Sequence, residues 1–308
     1  MSGADVPAIS AIVVNHNAGP HLHECLERLR VVAGEERFRD GGLEIVLVDN
    51  ASTDGSTEAV RQLQEQVPES PSPVRLIALE RNVGFGAGCN RGARHAAGRY
   101  LLLLNPDAWI DGPSLRLLEE ALDADSRLGV AAPALHYRDG SPQFGWAPPV
   151  GVLGEAVQRF RNRFEGATWN HRLLPRFLKP LVGSGWFSAA CLLVRRSAFE
   201  TIGGFDESFF LYFEDADLGL RLDQEDWRQR QVQGARAWHL RGVTTGRLGN
   251  RLLSPEVERF YRGSQLRYYD LHRPRWERSY LRRRLHRKFS RVADEEQRTE
   301  LLRLLEGA

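Results

Sequence analysis

Four groups of side chains in this sequence have the types and spacing to do chemistry. The first is Asn105-Pro106-Asp107, which ends the apolar run Tyr100-Leu-Leu-Leu-Leu104. Proline cannot donate to a sheet ladder, so a strand should stop there. Open α/β sheets bind ligands at the carboxyl ends of their strands. Asp107 would be a carboxylate held at that edge, able to grip a hard divalent cation against phosphate oxygens. A plain Asn-Pro-Asp turn is the alternative. The second group, Glu214, Asp215 and Asp217, stands behind the aromatic residues Phe205, Phe209, Phe210, Tyr212 and Phe213. Apolar walls raise a carboxylate's pKa, which suits a proton acceptor, although acids also favour the positive end of a helix. The third is Arg81-Asn-Val-Gly-Phe-Gly-Ala-Gly-Cys-Asn-Arg-Gly92, placed between a strand and a helix. Its glycines let backbone approach a ligand, and the helix start favours an anion; a flexible turn is the bland reading. Neither a dinucleotide fingerprint nor a P-loop is present. The fourth is Asp49-Asn-Ala-Ser-Thr-Asp-Gly-Ser56, a strand end rich in capping side chains. His239 also follows a strand, though a lone histidine is more often structural than a ligand.

The elements that must position these groups can be read from apolar runs. Strands are expected at Ile9–Val14, Glu44–Val48, Val74–Leu79 and Tyr100–Leu104, with helices after Pro20, over 57–67 and from the glycine-rich stretch to Ala97. That alternation predicts an α/β fold with a mostly parallel central sheet flanked by helices. Further expectations are a helix over Ser114–Ala124, strands from Val130, over Gly185–Val194 and at Arg230–Gln233, and a packed helix after Asp217. Residues 139–180 read as an irregular excursion, a lid or acceptor-binding insertion. His239 precedes Gly242 and Thr244-Thr245, a further polar cluster at the same edge.

The chain has 308 residues, net charge +2, 42% hydrophobic and 27% charged residues, the balance of an ordinary globular protein. That charge argues against a nucleic-acid partner. Cys25, Cys89 and Cys191 form no CxxC, which fits reduced thiols and a cytoplasmic setting. We see no signal peptide and no membrane span in the sequence. Beyond Leu252 the composition shifts, and nine Lys/Arg fall between Arg273 and Arg291 against the single acid Glu277. Leu281, Leu285, Phe289 and Val292 recur at helical spacing among them. A basic amphipathic helix over 276–292 lying on an anionic membrane is one reading; a solvated helix packing one apolar stripe on the domain is the other.

Taken in order, these motifs resemble the family 2 glycosyltransferases of GT-A fold, and their bacterial rhamnosyltransferase-like branch. The resemblance rests on Val13-Val-Asn-His-Asn17, Val48–Ser56, Arg81–Gly86 with Asn90 and Gly92, Asn105–Ala108, Trp186-Phe-Ser188, Gly203–Asp206, Phe209–Leu218 and Trp238-His239. It implies a nucleotide-binding half near 8–110, an acceptor and catalytic half near 111–252, and a helical extension over 253–308. It implies inverting transfer of a sugar, rhamnose from dTDP-rhamnose or another dTDP- or UDP-sugar, to a cell-surface glycan or lipid-linked oligosaccharide at the cytoplasmic membrane face. Donor contacts are implied for Asn17, Asp49, Asn50, Arg81, Asn82, Gly86, Asn90, Asn105 and Asp107. Asp107 and His239 would bind Mg²⁺ or Mn²⁺, Asp215 would be the base, Glu214 and Asp217 would position the acceptor or support that base, and Trp186, Phe187 and Ser188 would meet the acceptor. Asn105 stands where the family's DxD has its first acid. A nucleotidyl- or phosphoryl-transferring enzyme would need a Lys/Arg-rich triphosphate loop, which is missing. A non-catalytic nucleotide-sugar or glycan-binding module would have no need of Asp215.

Overall fold

The computed structural model describes residues 7–39, 42–58, 60–61, 74–162, 185–240 and 254–306. The four expected apolar runs form strands β1 (Ile9–Asn15), β2 (Leu43–Asp49), β3 (Val74–Ala78) and β4 (Tyr100–Leu104). They lie parallel in the order β3-β2-β1-β4. The register pairs Asn15 with Asp49 and Val13 with Leu104, so their polar ends open along one edge. β1 and β4 are buried along their whole length, which is why they read as unbroken apolar runs.

The remaining strands are β5 (Ala108–Ile110), β6 (Leu128–His136), β7 (Trp146–Ala147), β8 (Trp186–Phe187), β9 (Cys191–Arg195) and β10 (Arg228–His239). The full sheet runs β3-β2-β1-β4-β9-β6-β10-β5, with β9 antiparallel to β4 and β6, and β5 antiparallel to β10. The fold is thus α/β with a mixed, mostly parallel sheet. Helices α1 (Pro20–Gly34) and α3 (Gly112–Asp123) pack on one face. Helices α2 (Phe85–His95), α5 (Arg196–Thr201) and α6 (Glu214–Gln224) cover the other. Local chemistry sets the starts. Pro20 occupies the first turn of α1, and the Asp111 carboxylate caps α3 by accepting from the Ser114 N–H at 2.8 Å.

Three expectations need correction. The single strand over 185–194 is two strands. β8 leaves the main sheet to pair with β7, and Ala189-Ala190 turns the chain back into β9. The strand at 230–233 is part of the twelve-residue β10, whose register shifts between Gln231 and Arg236. That shift lies opposite Pro133 of β6, which has no N–H to offer, and Gly234 at φ 89° takes up the bend. The stretch 139–180 is not structureless. Within its described part lie β7 and helix α4 (Val152–Asn162); residues 163–180, like 62–67 of the helix expected over 57–67 and like Gly242 and Thr244-Thr245, fall outside the described residues.

The C-terminal residues form α7 (Pro255–His272), α8 (Arg275–Phe289) and α9 (Glu295–Glu306). Leu281, Leu285 and Phe289 are buried with Leu266, Tyr268, Tyr269 and Leu301, and the same cluster takes in Phe209 and Ala216. The apolar stripe of α8 is therefore spent on intramolecular packing, and the second of the two sequence readings holds for that stripe. Among the described residues no helix is long and apolar enough to cross a membrane.

Candidate active site

The edge formed by the ends of β1, β2 and β4 is organised by a side chain the sequence reading passed over. Asn15 is fully buried, and its amide donates to the hydroxyls of Ser52 and Ser56 at 2.9 Å each and reaches the Asp49 carboxylate at 3.4 Å. Its signal was positional: it is the last residue of β1, in register with Asp49. The exposed Asn17 accepts from the Thr53 N–H at 2.7 Å, and Asp49 accepts from the Ser52 N–H at 3.3 Å. Asn17 and Ala51 hold positive φ of 54° and 59°, conformations uncommon outside glycine that concentrate at functional sites.

The next loop hangs from Asn50. Its amide donates to Asn82 Oδ1 at 2.9 Å and to the Gly84 carbonyl at 3.1 Å, and its Oδ1 accepts from the Val83 N–H at 2.8 Å. Asn50 is almost wholly enclosed and shapes the 81–84 loop. Two other expected donor contacts also have packing roles. A Cβ on Gly86 would lie 3.0 Å from Phe205 Cβ and 3.5 Å from Glu214 Cβ, so this glycine serves packing against the acidic helix. Asn90 donates to the Phe205 carbonyl and accepts from its N–H, both at 2.9 Å. Arg81 remains exposed, and with Asn82, Val83, Ala87, Arg91 and Glu207 it borders an open recess.

At the end of β4, the short strand β5 does the decisive positioning. It pairs Ala108 with His239, and the Leu240 N–H donates to the Asp107 carbonyl at 3.0 Å. His239 Nε2 then lies 3.4 Å from Asp107 Oδ1 and 3.3 Å from Asn105 Nδ2. Gln143 fixes the ring. Its Nε2 donates to the His239 carbonyl at 3.2 Å, which turns its Oε1 toward His239 Nδ1 at 2.9 Å. Nδ1 therefore carries the hydrogen, and Nε2, the nitrogen that can present a lone pair, faces Asn105 and Asp107. Both Asp107 oxygens are buried with no hydrogen-bond partner among the described residues. Two orphaned carboxylate oxygens beside a histidine nitrogen so oriented form a donor set that fits a divalent cation. The described residues hold no group of three or more His, Cys, Asp and Glu side chains for a metal.

The acidic group lies across a short bridge from this pair. The Asn105 N–H donates to the Ala190 carbonyl at 3.0 Å, while the N–H groups of Ala189 and Ala216 hold the Asp215 carboxylate. Glu214 and Asp215 open α6 directly after Tyr212 and Phe213, both at φ 68°. Burial pushes the pKa of each carboxyl up, with repulsion from Asp215 adding to the rise at Glu214 and the two N–H donors opposing it at Asp215. Asp215 keeps part of its surface open, whereas Glu214 is buried with Oε2 unpartnered among the described residues.

Asp217, expected to support the base, faces elsewhere. One oxygen meets His272 Nε2 at 2.7 Å and the other Arg221 at 2.6 Å, which ties α6 to α7. The helix spacing explains it: two residues beyond Asp215, Asp217 is turned some 200° away around the axis. Of the expected acceptor contacts, Phe187 is buried in the sheet-face core. Trp186 stays half-buried, with an unpartnered indole N–H among the described residues and its Cβ against Gly219 of α6. Ser188 donates its N–H to the Gly145 carbonyl.

Comparison with known proteins adds three findings. The model of the family described as Glycosyl transferase family 2 matches residues 10–203. An N-acetylglucosaminyl-diphospho-decaprenol L-rhamnosyltransferase of Mycobacterium tuberculosis is 32% identical over 256 residues, 78% of each chain. A low-salt glycan biosynthesis hexosyltransferase of Haloferax volcanii is 26% identical over 235 residues, 75% of this chain and 66% of that one. Among solved structures, a mannosyltransferase from Pyrobaculum calidifontis in complex with GDP-Man and Mn²⁺ superposes with a TM-score of 0.56 at 17% identity, covering 97% of this chain and 70% of that one. GalNAc-T7 with UDP, GalNAc and Mn²⁺ gives 0.59 at 16% identity, covering 98% of this chain and 55% of that one. These likenesses identify the fold as GT-A.

Proposed function

This chain belongs to glycosyl transferase family 2, and on that premise we propose that it transfers L-rhamnose from dTDP-rhamnose, with inversion, to a hydroxyl of a lipid-linked glycan at a membrane surface. The glycosyltransferase activity and the use of a nucleotide-sugar donor follow from the family. The sugar, the acceptor and the inverting, metal-assisted course are the proposal; the sugar and acceptor are supported by the mycobacterial rhamnosyltransferase, a relative that matches over 78% of each chain.

One observation carries the mechanism. Two carboxylates with opposite needs, Asp107 with unpartnered oxygens and Asp215 held by two N–H donors, flank the Ala189-Ala190 peptide pair. Asp107 and His239 would hold Mg²⁺ or Mn²⁺, which when bound neutralises charge on the departing diphosphate. Asp49, Asn17, Asn82 and Arg81 would receive the nucleoside at the β1–β2 edge. Asn105 Nδ2 lies 3.3 Å from His239 Nε2 and would give up that contact where the nitrogen turns its lone pair to a cation. Asp215 would take the proton of the attacking hydroxyl at its carboxylate. Its environment suits a base, because burial makes it a better proton acceptor than an ordinary aspartate while the Ala189 and Ala216 N–H groups fix its orientation. Glu214 beside it is held protonated by burial and by the Asp215 charge, so it would leave Asp215 as the ionised member of the pair.

Replacement Asp215→Asn tests the assignment. Transfer to acceptor should fall by about 10²–10⁴, the range for a lost general base, with donor affinity unchanged by calorimetry. Retained transfer would remove Asp215 from the role. Donor identity is read separately, by nucleotide release across dTDP-, UDP- and GDP-sugars; a preference for a donor other than dTDP-rhamnose would overturn the sugar named above.

A further inference from the structure

Helix α8 carries two stripes on opposite sides. Leu281, Leu285 and Phe289 point into the C-terminal core and are at most 1% exposed. At 100° per residue, Trp276, Tyr280, Arg283 and Arg287 fall within about 60° of one another on the reverse side. There Trp276 is 62% and Tyr280 45% exposed, although large aromatics are normally covered. The cations on and beside α8 fall into paired and unpaired sets, and the unpaired set includes Arg283 and Arg287 of the outer stripe. Arg273 pairs with Glu277, Arg282 with Asp270, Arg284 with Glu155 and Lys288 with Glu258. Among the described residues, Arg275, Arg283, Arg287 and Arg291 have no carboxylate partner. With Ser279, the residues Arg275, Trp276, Tyr280 and Arg283 edge a shallow recess on this outer face.

We infer that this outer face of α8 docks the protein on an anionic membrane, with Trp276 and Tyr280 seated at headgroup depth and Arg275, Arg283 and Arg287 against lipid phosphates. Aromatic side chains with one polar end favour the membrane–water interface, where ring and polar atom are both satisfied. Each basic residue near an anionic leaflet adds attraction that salt screens. The surface is a convex helix side about 16 Å long from residue 276 to 287 at 1.5 Å per residue, a shape that suits a plane. Among the described residues, Trp276 and Tyr280 on this helix side do not make the row of stacking rings that single-stranded nucleic acid asks for. The inference does not depend on which sugar or acceptor the enzyme uses, and it differs from the amphipathic reading of the sequence, in which Leu281, Leu285 and Phe289 would have entered the lipid.

Flotation of the full chain with phosphatidylcholine vesicles, and with vesicles containing one quarter phosphatidylglycerol, tests this. Binding is expected only to the anionic vesicles, weakening as salt rises from 50 to 500 mM on the order expected from screening. Arg283→Glu with Arg287→Glu should reduce partitioning at least tenfold, roughly what loss and reversal of two charges at an anionic leaflet implies. Trp276→Ala with Tyr280→Ala should reduce it several-fold even at low salt. Arg116→Glu, the same substitution at a single exposed position of α3 and so half that charge change, should leave binding unchanged. All variants alter exposed side chains, and circular dichroism melts confirm their folding. No binding to anionic vesicles, binding indifferent to these stripes, or an equal loss with Arg116→Glu would overturn the inference. So would a concentration-dependent dimer, or duplex RNA binding without vesicle binding, that vanishes with the same arginines. Donor hydrolysis measured in solution reports the active site independently, so failure of docking and failure of the proposed function are separable.

Discussion

The two carboxylate centres of this enzyme are built in contrasting ways. The Asp107 centre stands on strand ends. β4 and β5 fix Asp107, β10 fixes His239, and Gln143 locks the imidazole with two hydrogen bonds. Its backbone is unstrained, and what is missing is a partner for the carboxylate itself. The Asp215 centre stands on a loop with two consecutive left-handed residues, held by aromatic contacts from another part of the chain: Phe210 to Phe260, Tyr212 to Tyr261, and Phe213 to Tyr261 and Tyr268. The Ser264 hydroxyl donates to the Leu211 carbonyl at 2.9 Å. A cation site asks for fixed ligands, which strands supply. A base that must meet a variable acceptor is held in strain, stabilised by remote packing.

Paired substitutions probe the contrast most severely. Asp215→Asn should act on kcat by about 10²–10⁴, whereas Asp107→Asn should raise the donor KM and the metal concentration for half-activity. If both variants shift the same parameter, the two centres are not separate. Next in size, Gln143→Ala should weaken Mn²⁺ binding by about 10–100-fold, the usual cost of losing a side chain that orients a ligating histidine, as measured by paramagnetic resonance without substrate. His272→Ala leaves the buried Asp217 with Arg221 alone. It should cost about 1–3 kcal/mol in denaturant unfolding, as for a deprived buried acceptor, and lower kcat several-fold with donor KM unchanged; an equal fall at both centres would mean global loosening.

The smallest effect is a pH dependence. Glu214 is held above the ordinary carboxylate range by burial, so the protonated form is favoured in the folded state. Its stabilising share is full below the unfolded carboxylate pKa and is lost as pH rises through the folded value. Glu214→Gln, which cannot ionise, should therefore melt several degrees above the parent at pH 9, and the gap should close toward pH 5. Transfer itself should decline on the acid side at a pH above the usual aspartate range, since Asp215 is raised too.

The sequence made the Asp107 centre the more legible of the two. An apolar run cut by Asn105-Pro106-Asp107 announces a strand end because strand termination is local physics. Gln143 could not be found that way: nothing near Ser141-Pro142-Gln143 tells that β6 folds it back on His239, a residue 96 positions later. β5 was hidden for a similar reason, three residues being too short for any periodicity to register. Asn50, Gly86 and Asn90 were singled out as donor contacts, and their packing roles could not be read beside that, because a polar or glycine residue required by packing leaves the same mark as one required by binding. The aromatic run before Glu214 was read as a wall around the base. Its contacts with α7, fifty residues downstream, come from tertiary packing that local pattern does not encode.

Gly84 has a further consequence. A Cβ there would fall 2.2 Å from the Phe210 carbonyl oxygen, and the Phe85 N–H donates to that same oxygen at 3.2 Å. The loop that would read the nucleotide and the loop that ends in the base thus touch main chain to main chain, without an intervening side chain to yield. On the proposed roles, a donor that shifted the 81–84 loop would shift the Phe210 backbone with it. An ordered kinetic scheme, donor first and acceptor second, is what such a stiff joint would produce.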